Sequence, residues 1–298
     1  MKKLRKILLA LLLIIVAFIL SGIFIVADLR TSEIVNNTQS EEHILLAKNL
    51  LDQAIKKQGL DSLSKFSTYE VTASDNWKGF MGEMGNPWGW NEDKMALRYS
   101  VGDFDGQVEV LEGDKKGFVA GIQSWDYYEK EGNSYQTNVE DDGGKMFTIA
   151  AYHYFFELAN RLSDAPFIRY AGEDQLKGKV MDRIFVSWGN EATMKYDHYL
   201  IWIGKESGLI EATAFSTRDN PKPAPRWLYG SLRFDDFRDV DGVMIPFKQT
   251  AGVFDPKEDI NEFIHQLTIE KFEWNKFPVS DIRPFKEIKS MGDDKPVN

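Results

Sequence analysis

The chain contains no cysteine, which excludes disulfides, thiolate metal sites and cysteine nucleophiles. Packing alone has to hold the folded body. Histidine is scarce too: His43, His153, His198 and His265 stand singly, without the H-x-x-x-H or H-E-x-x-H spacing of a metal site. There is no G-x-S-x-G elbow, no phosphate-binding loop and no dinucleotide fingerprint. No cofactor and no metal is expected. Positive charge is in deficit as well, with a net charge of -10 over 298 residues. Nucleic acid and anionic lipid surfaces are poor partners for so acidic a body.

Positive charge concentrates at the start, where Lys2, Lys3, Arg5 and Lys6 precede an apolar run from Ile7 to Ala27 without a charged residue. Roughly 20 residues rising about 1.5 Å each cross a bilayer core. Residues 1–27 therefore read as a signal anchor, a transmembrane helix, with a cleaved signal peptide as the alternative; such h-regions usually run about 7 to 15 residues. Basic residues before the run and mixed signs after it place the N-terminus in the cytoplasm and the main domain outside it, on the periplasmic or other extracytoplasmic side. Leu20-Ser21-Gly22 is followed by Ile23 where lipidation needs cysteine, which excludes a lipid anchor.

Residues 28–40 are polar and aperiodic, as in a tether; 41–285 read as one exported domain and 286–298 as a polar tail. Within the domain, Thr38 and Glu41 stand in capping-box spacing, Ile44, Ala47, Leu51 and Ala54 share a helical face, and Gly59 is the stop. A second helix is expected from about Lys145 to Leu162. Alternating segments predict strands over 66–74, 95–101, 107–111, 118–122, 180–188, 199–203, 209–215, 232–237, 243–253 and 267–274. Asp105-Gly106 and Asp241-Gly242 suit type I′ hairpin turns, so the strands should form an antiparallel meander. Residues 220–227 (NPKPAPRW) form a proline-rich loop.

Candidate chemistry is sparse. Asp235, Asp236, Asp239 and Asp241 lack the spacing of a calcium loop and read as a solvated turn. Asp197 beside His198, or Glu157 near His153, would suit acid-base work, yet a strand puts Asp197 and His198 on opposite faces. Trp77 to Trp90 (WKGFMGEMGNPWGW) stands apart. Its Trp77, Phe80, Met81, Met84, Trp88 and Trp90, interrupted by glycines, read either as a flexible lid over an apolar ligand or as aromatics folded into the core. Phe147, Tyr154 and Phe155 of the second helix complete the candidate ligand-binding set.

The stretch Ala47 to Val71 (AKNLLDQAIKKQGLDSLSKFSTYEV), the run YDHYLIWIGKESGLIEATAF and the following FDDFRDVDGVMIPF resemble the LolA/LolB-like superfamily of periplasmic lipoprotein carriers. The resemblance implies an α+β fold: a strongly curved antiparallel sheet, an incomplete β-barrel, covered by helices and here preceded by one transmembrane helix. It implies a concave apolar face able to accept acyl chains. The expected function is non-enzymatic binding, in the cell envelope, of a lipid, an acyl chain or another hydrophobic ligand; the alternative is a protein-interaction or sensor domain with an envelope protein as partner. The protein anchor departs from the family's soluble or cysteine-lipidated members, and no family ligand residue maps onto a position here.

Overall fold

The computed structural model describes residues 2–24, 27–137, 144–216, 229–253, 255–256, 263–286 and 288. The proline-rich loop and most of the polar tail lie outside them. The basic start and apolar run form one helix, α1 (Lys2–Phe24), whose side chains are described from Lys3 to Ala17 and are exposed. Among the described residues no helix is long and apolar enough to cross a membrane.

Among the described residues thirteen strands form one open antiparallel sheet, built from two meanders. The first runs outward from the centre: β1 (Thr68–Trp77), β2 (Lys94–Ser100), β3 (Gly106–Val110), β4 (Val119–Gln123), β5 (Asp126–Glu131) and β6 (Ser134–Gln136). Helices α5 (Lys145–Phe156) and α6 (Leu158–Ser163) carry the chain to the other edge. The second meander returns through β7 (Phe167–Leu176), β8 (Lys179–Ser187), β9 (His198–Gly204), β10 (Ile210–Phe215), β11 (Gly230–Val240), β12 (Val243–Val253) and β13 (His265–Trp274). β13 then pairs with β1, from Tyr69 opposite Trp274 to Trp77 opposite His265.

The structure differs from the sequence expectation in three places. β5, β6 and β7 were not expected as strands. β5 (DYYEKE) sets its two buried tyrosines side by side among charged residues and β6 (SYQ) is a three-residue polar edge strand, so neither alternates, and β7 loses its alternation at a register shift between Tyr170 and Glu173. The long second helix is broken at Glu157, whose backbone (φ -110, ψ 16) separates α5 from α6. The two Asp-Gly turns differ. Asp241 (φ 55) and Gly242 (φ 89) form the expected turn with both residues at positive φ. In the other, positive φ falls on Gly102, Asp103 Oδ1 accepts from the Asp105 amide at 2.8 Å, and Gly106 already belongs to β3.

Helix α3 (Glu41–Gln58) is capped by Ser40, which accepts from the His43 amide, rather than by Thr38. Its C-cap is Gly59 as expected, at φ 74. A β-carbon there would sit 2.0 Å from the Gly242 carbonyl oxygen, so the glycine also lets the helix end abut the β11–β12 hairpin. Ala47, Leu51, Ala54 and Ile55 pack this helix, together with α5 and α6, onto the inner face of the sheet in one continuous core.

The outer face of β7–β10 carries a second apolar layer. Phe185, Leu200 and Trp202 belong to it, while their neighbours Ile184, Ile201 and Ile203 belong to the inner core, as alternation along a strand requires. Residues 28–40 are not an open tether: α2 (Ser32–Val35) lies in this segment, and Ile34 is buried in the outer layer with Leu29 beside it. The outer face of β1–β5 is polar instead. Glu70 pairs with Arg98 at 2.7 Å and Lys276 at 2.6 Å, and the Tyr128 hydroxyl donates to the Ile282 carbonyl at 3.0 Å.

Candidate functional site

The aromatic segment that leaves β1 is stitched down rather than loose. Asn91 accepts from the Trp77 amide at 2.6 Å and donates to its carbonyl at 3.0 Å. Asn86 accepts from the Trp88 amide at 2.9 Å and donates to the Trp90 carbonyl at 2.7 Å. Between them lies α4 (Gly79–Gly85), pressed so close to the strand-β13 approach that a β-carbon on Gly82 would lie 2.5 Å from the Ile264 carbonyl oxygen. The asparagines were not singled out in the sequence. Their alternation with the aromatics was the available signal.

The nominated side chains separate into two groups. Trp77 and Trp88 are buried; Trp77 stacks on His265 with ring centroids 4.3 Å apart, and Trp88 meets the half-buried Trp90 at 5.3 Å. Met81 is half-buried. Phe80 and Met84, four residues apart on α4, are 77% and 58% exposed. Such spacing puts them on one helical face. Trp77 and Trp88 enter the core, as one reading of the segment expects, and the apolar edge of Phe80 and Met84 faces outward. Phe147 also points out, while Tyr154 stacks on Tyr199 and Phe155 packs at a tilt against Phe215 of the second meander.

Beneath the tryptophans, the buried Asp75 joins four elements. Its carboxylate accepts from the Tyr152 hydroxyl and lies 3.0 Å from His265 Nδ1, and Trp88 Nε1 donates to the Tyr152 oxygen at 3.5 Å. Burial, then the Asp75 charge, pushes the Tyr152 hydroxyl far above the ordinary tyrosine range. It remains a neutral donor.

A second polar cluster occupies one stripe of α5 and α6. Glu157 lies 3.1 Å from His153 Nε2 and accepts from Arg161 at 3.0 Å, and Arg161 also donates to the Asp103 carbonyl at 2.8 Å. Burial opposes ionisation of Glu157, yet the His153 and Arg161 charges and hydrogen bonds hold its carboxyl below the usual range. The pair nominated for acid-base work is therefore real as a contact. Its side chains are only 0% and 4% exposed, so no substrate reaches it in this conformation. Asp197 and His198 are likewise used in structure: Ser216 Oγ donates to Asp197, and His198 Nε2 lies 2.8 Å from the Thr193 carbonyl. Among the described residues no group of three or more histidines and carboxylates could hold a metal ion.

Between the α5–α6 break and the second meander lies an apolar slot, lined among others by Phe155, Phe156, Ala159, Ile210 and Phe234. Its volume is about 10 Å³, room for about one water. Gln58, at the last turn of α3, also lines it, and its buried Oε1 has no hydrogen-bond partner among the described residues. Of these residues the sequence reading named only Phe155. Gln58 could have been found as the polar residue on the stripe of Leu51, Ala54 and Ile55. A wider, open depression of about 260 Å³ is lined mainly by charged residues, Lys179, Lys205, Glu206 and Glu211.

No family model matches the chain, and no curated protein does. Solved structures overlay on it distantly. A LolA superfamily protein from Nitrosomonas europaea is 11% identical over 79% of this chain and 96% of its own, with a TM-score of 0.48. A putative outer-membrane lipoprotein-sorting protein domain from Vibrio parahaemolyticus is 10% identical, covering 80% and 97%, at 0.47. A DUF1329 family protein from Desulfovibrio piger is 11% identical, covering 77% and 93%, at 0.46. These are distant likenesses, and no ligand, partner or residue role is carried from them to this chain.

Proposed function

We propose that the chain is a non-enzymatic envelope protein that binds a lipid, an acyl chain or a similar hydrophobic molecule, held at the membrane by its N-terminal helix with the sheet domain on the extracytoplasmic side. The observation that carries the binding reading is the slot under the α5–α6 break. Its lining is apolar apart from a buried, unpartnered amide oxygen on Gln58, the combination of apolar walls with one orienting polar group that suits such a ligand. Ligand pockets usually measure about 300 to 1,000 Å³, against about 10 Å³ in this slot, so a ligand enters only if the walls move apart. Binding requires α6 to lift, and the backbone break at Glu157 supplies the joint. The anchor reading is supported by the uncharged run Ile7 to Ala27 behind four basic residues.

The test is mass spectrometry of an organic extract of the full chain purified without added lipid. A lipid or fatty acid in defined stoichiometry is the expected result; an empty extract together with no uptake of acyl probes would sink the binding reading. The closure of the interior favours a second reading, a rigid sheet used for contact with an envelope protein. Cross-linking in native membranes should then recover one specific partner, and recovery of none removes that reading.

A further inference from the structure

We propose that the sheet end carrying α4 rests on the same bilayer that holds α1, with Phe80 and Met84 inserted among the lipids. This rests on the anchor reading above and adds to it an orientation and a contact surface.

The first argument is chain length. Helix α1 ends at Phe24, and Leu29 is already fixed at the start of β9, its amide donating to His198 Nδ1 at 3.4 Å. Arg30 Nη1 donates to the Ala192 carbonyl at 2.5 Å, and Arg30 grips Asp28 through two bonds of 2.8 Å. Phe24 and Asp28 are four links apart, so at most about 14 Å separate the helix end from the docked chain. The bilayer surface lies within that reach of His198.

The second argument is register. Ser187 pairs with His198, Tyr199 with Phe215, Phe215 with Gly230, Gly230 with Val253, Ala251 with His265 and His265 with Trp77. These residues mark one end of the sheet from β8 to β1, and α4 follows Trp77 by two residues. From β9 to β1 is five strand spacings, about 24 Å along the edge and less across the curve. The anchor's exit and the exposed apolar edge of α4 therefore share a rim.

The third argument is chemistry. Phe80 and Met84 present an aromatic ring and a flexible thioether on one exposed helical face, suited to the interface of a bilayer. Seven residues span about 10 Å, enough to lie in the interface and too few to cross it. Lys78 and Glu83 flank the face with opposite charges and are exposed, and the chain as a whole is acidic. The fitting surface is zwitterionic lipid rather than an anionic one.

Because the chain lacks cysteine, single-site labelling tests this directly. The full chain carrying Phe80→Cys, Met84→Cys or, at the opposite sheet end, Val180→Cys is labelled with an environment-sensitive fluorophore. It is then reconstituted in phosphatidylcholine vesicles whose acyl chains bear a quencher. All three sites are exposed, so folding is not at stake. Labels at 80 and 84 should lose most of their fluorescence to the lipid quencher while the label at 180 keeps it. Equal, weak quenching at 80 and 180, with the chain still in the pellet after alkaline extraction, overturns the docking and leaves the anchor standing. A chain released to the supernatant overturns the anchor and the docking with it. A label at 80 that is shielded from aqueous quencher but untouched by the lipid quencher indicates a protein cover and also overturns the docking.

Discussion

The two meanders solve the same problem, an open sheet with two faces, by opposite means. In the second meander β7–β10 are apolar on both faces, and a segment from the N-terminal side lays Leu29 and Ile34 over their outer layer. The first half is apolar only inside. Its outer face is a ladder of Lys276, Glu70, Arg98 and Glu109, closed over by the C-terminal segment through Ile282 and by Arg283, which pairs with Asp103 and Asp105 at 2.6 and 2.5 Å. Burial stabilises one half in proportion to area, whereas a partly exposed ion-pair ladder contributes little and mainly fixes position.

That contrast predicts unequal costs of damage. Trp202→Ala, emptying the outer layer where the side chain is 2% exposed, should cost about 3 to 5 kcal/mol in denaturant unfolding. Glu157→Ala leaves the buried His153 and Arg161 facing no carboxylate and should cost about 3 kcal/mol by the same assay. Ile34→Ala removes one cover residue from the second half and should cost about 2 kcal/mol. Arg98→Met cuts the ladder of the first half and should change stability by about 1 kcal/mol or less. A cost for Arg98→Met equal to that of Trp202→Ala would erase the distinction between the halves.

The same contrast covers acid. Burial works against ionisation of Asp28, but hydrogen bonds from Arg30 outweigh it and bring the carboxyl from 3.8 to about 2. A depressed carboxyl stabilises the docked segment above its ordinary value and loses that contribution as pH falls from 3.8 towards 2. Hydrogen exchange at the Leu29 amide should therefore quicken across that window ahead of amides in β1. Unchanged protection there would show that Asp28 does not hold the segment.

Which features could be read from the sequence follows the same division. Strands with clean alternation, such as β12 from Val243 to Val253, were legible to the residue, and Gly59 announced the end of α3. β7 was not, because Gly172 sits in a register shift and charges fall on both faces. The docking of Leu29 and Ile34 was hidden by a polar surrounding segment, since two apolar residues make no periodic signal. In the candidate site, the aromatic segment was visible, but which of its side chains turn inward depends on Asn86 and Asn91, whose partners are set only by the fold. The slot was mostly invisible: Gln58, Ala159, Ile210 and Phe234 come from four elements that meet only in three dimensions.

The central claim is that an apolar ligand enters beneath the α5–α6 cover, and one comparison tests it most directly. Uptake of an environment-sensitive acyl probe is titrated into the full chain in nanodiscs, for the native sequence and for Ala159→Leu, which fills the slot, with thermal melts confirming that both are folded. Saturable binding by the native chain is expected, weakened about tenfold, or roughly 1.4 kcal/mol, by Ala159→Leu. Identical binding curves for the two chains, or no saturable binding by either, would contradict it.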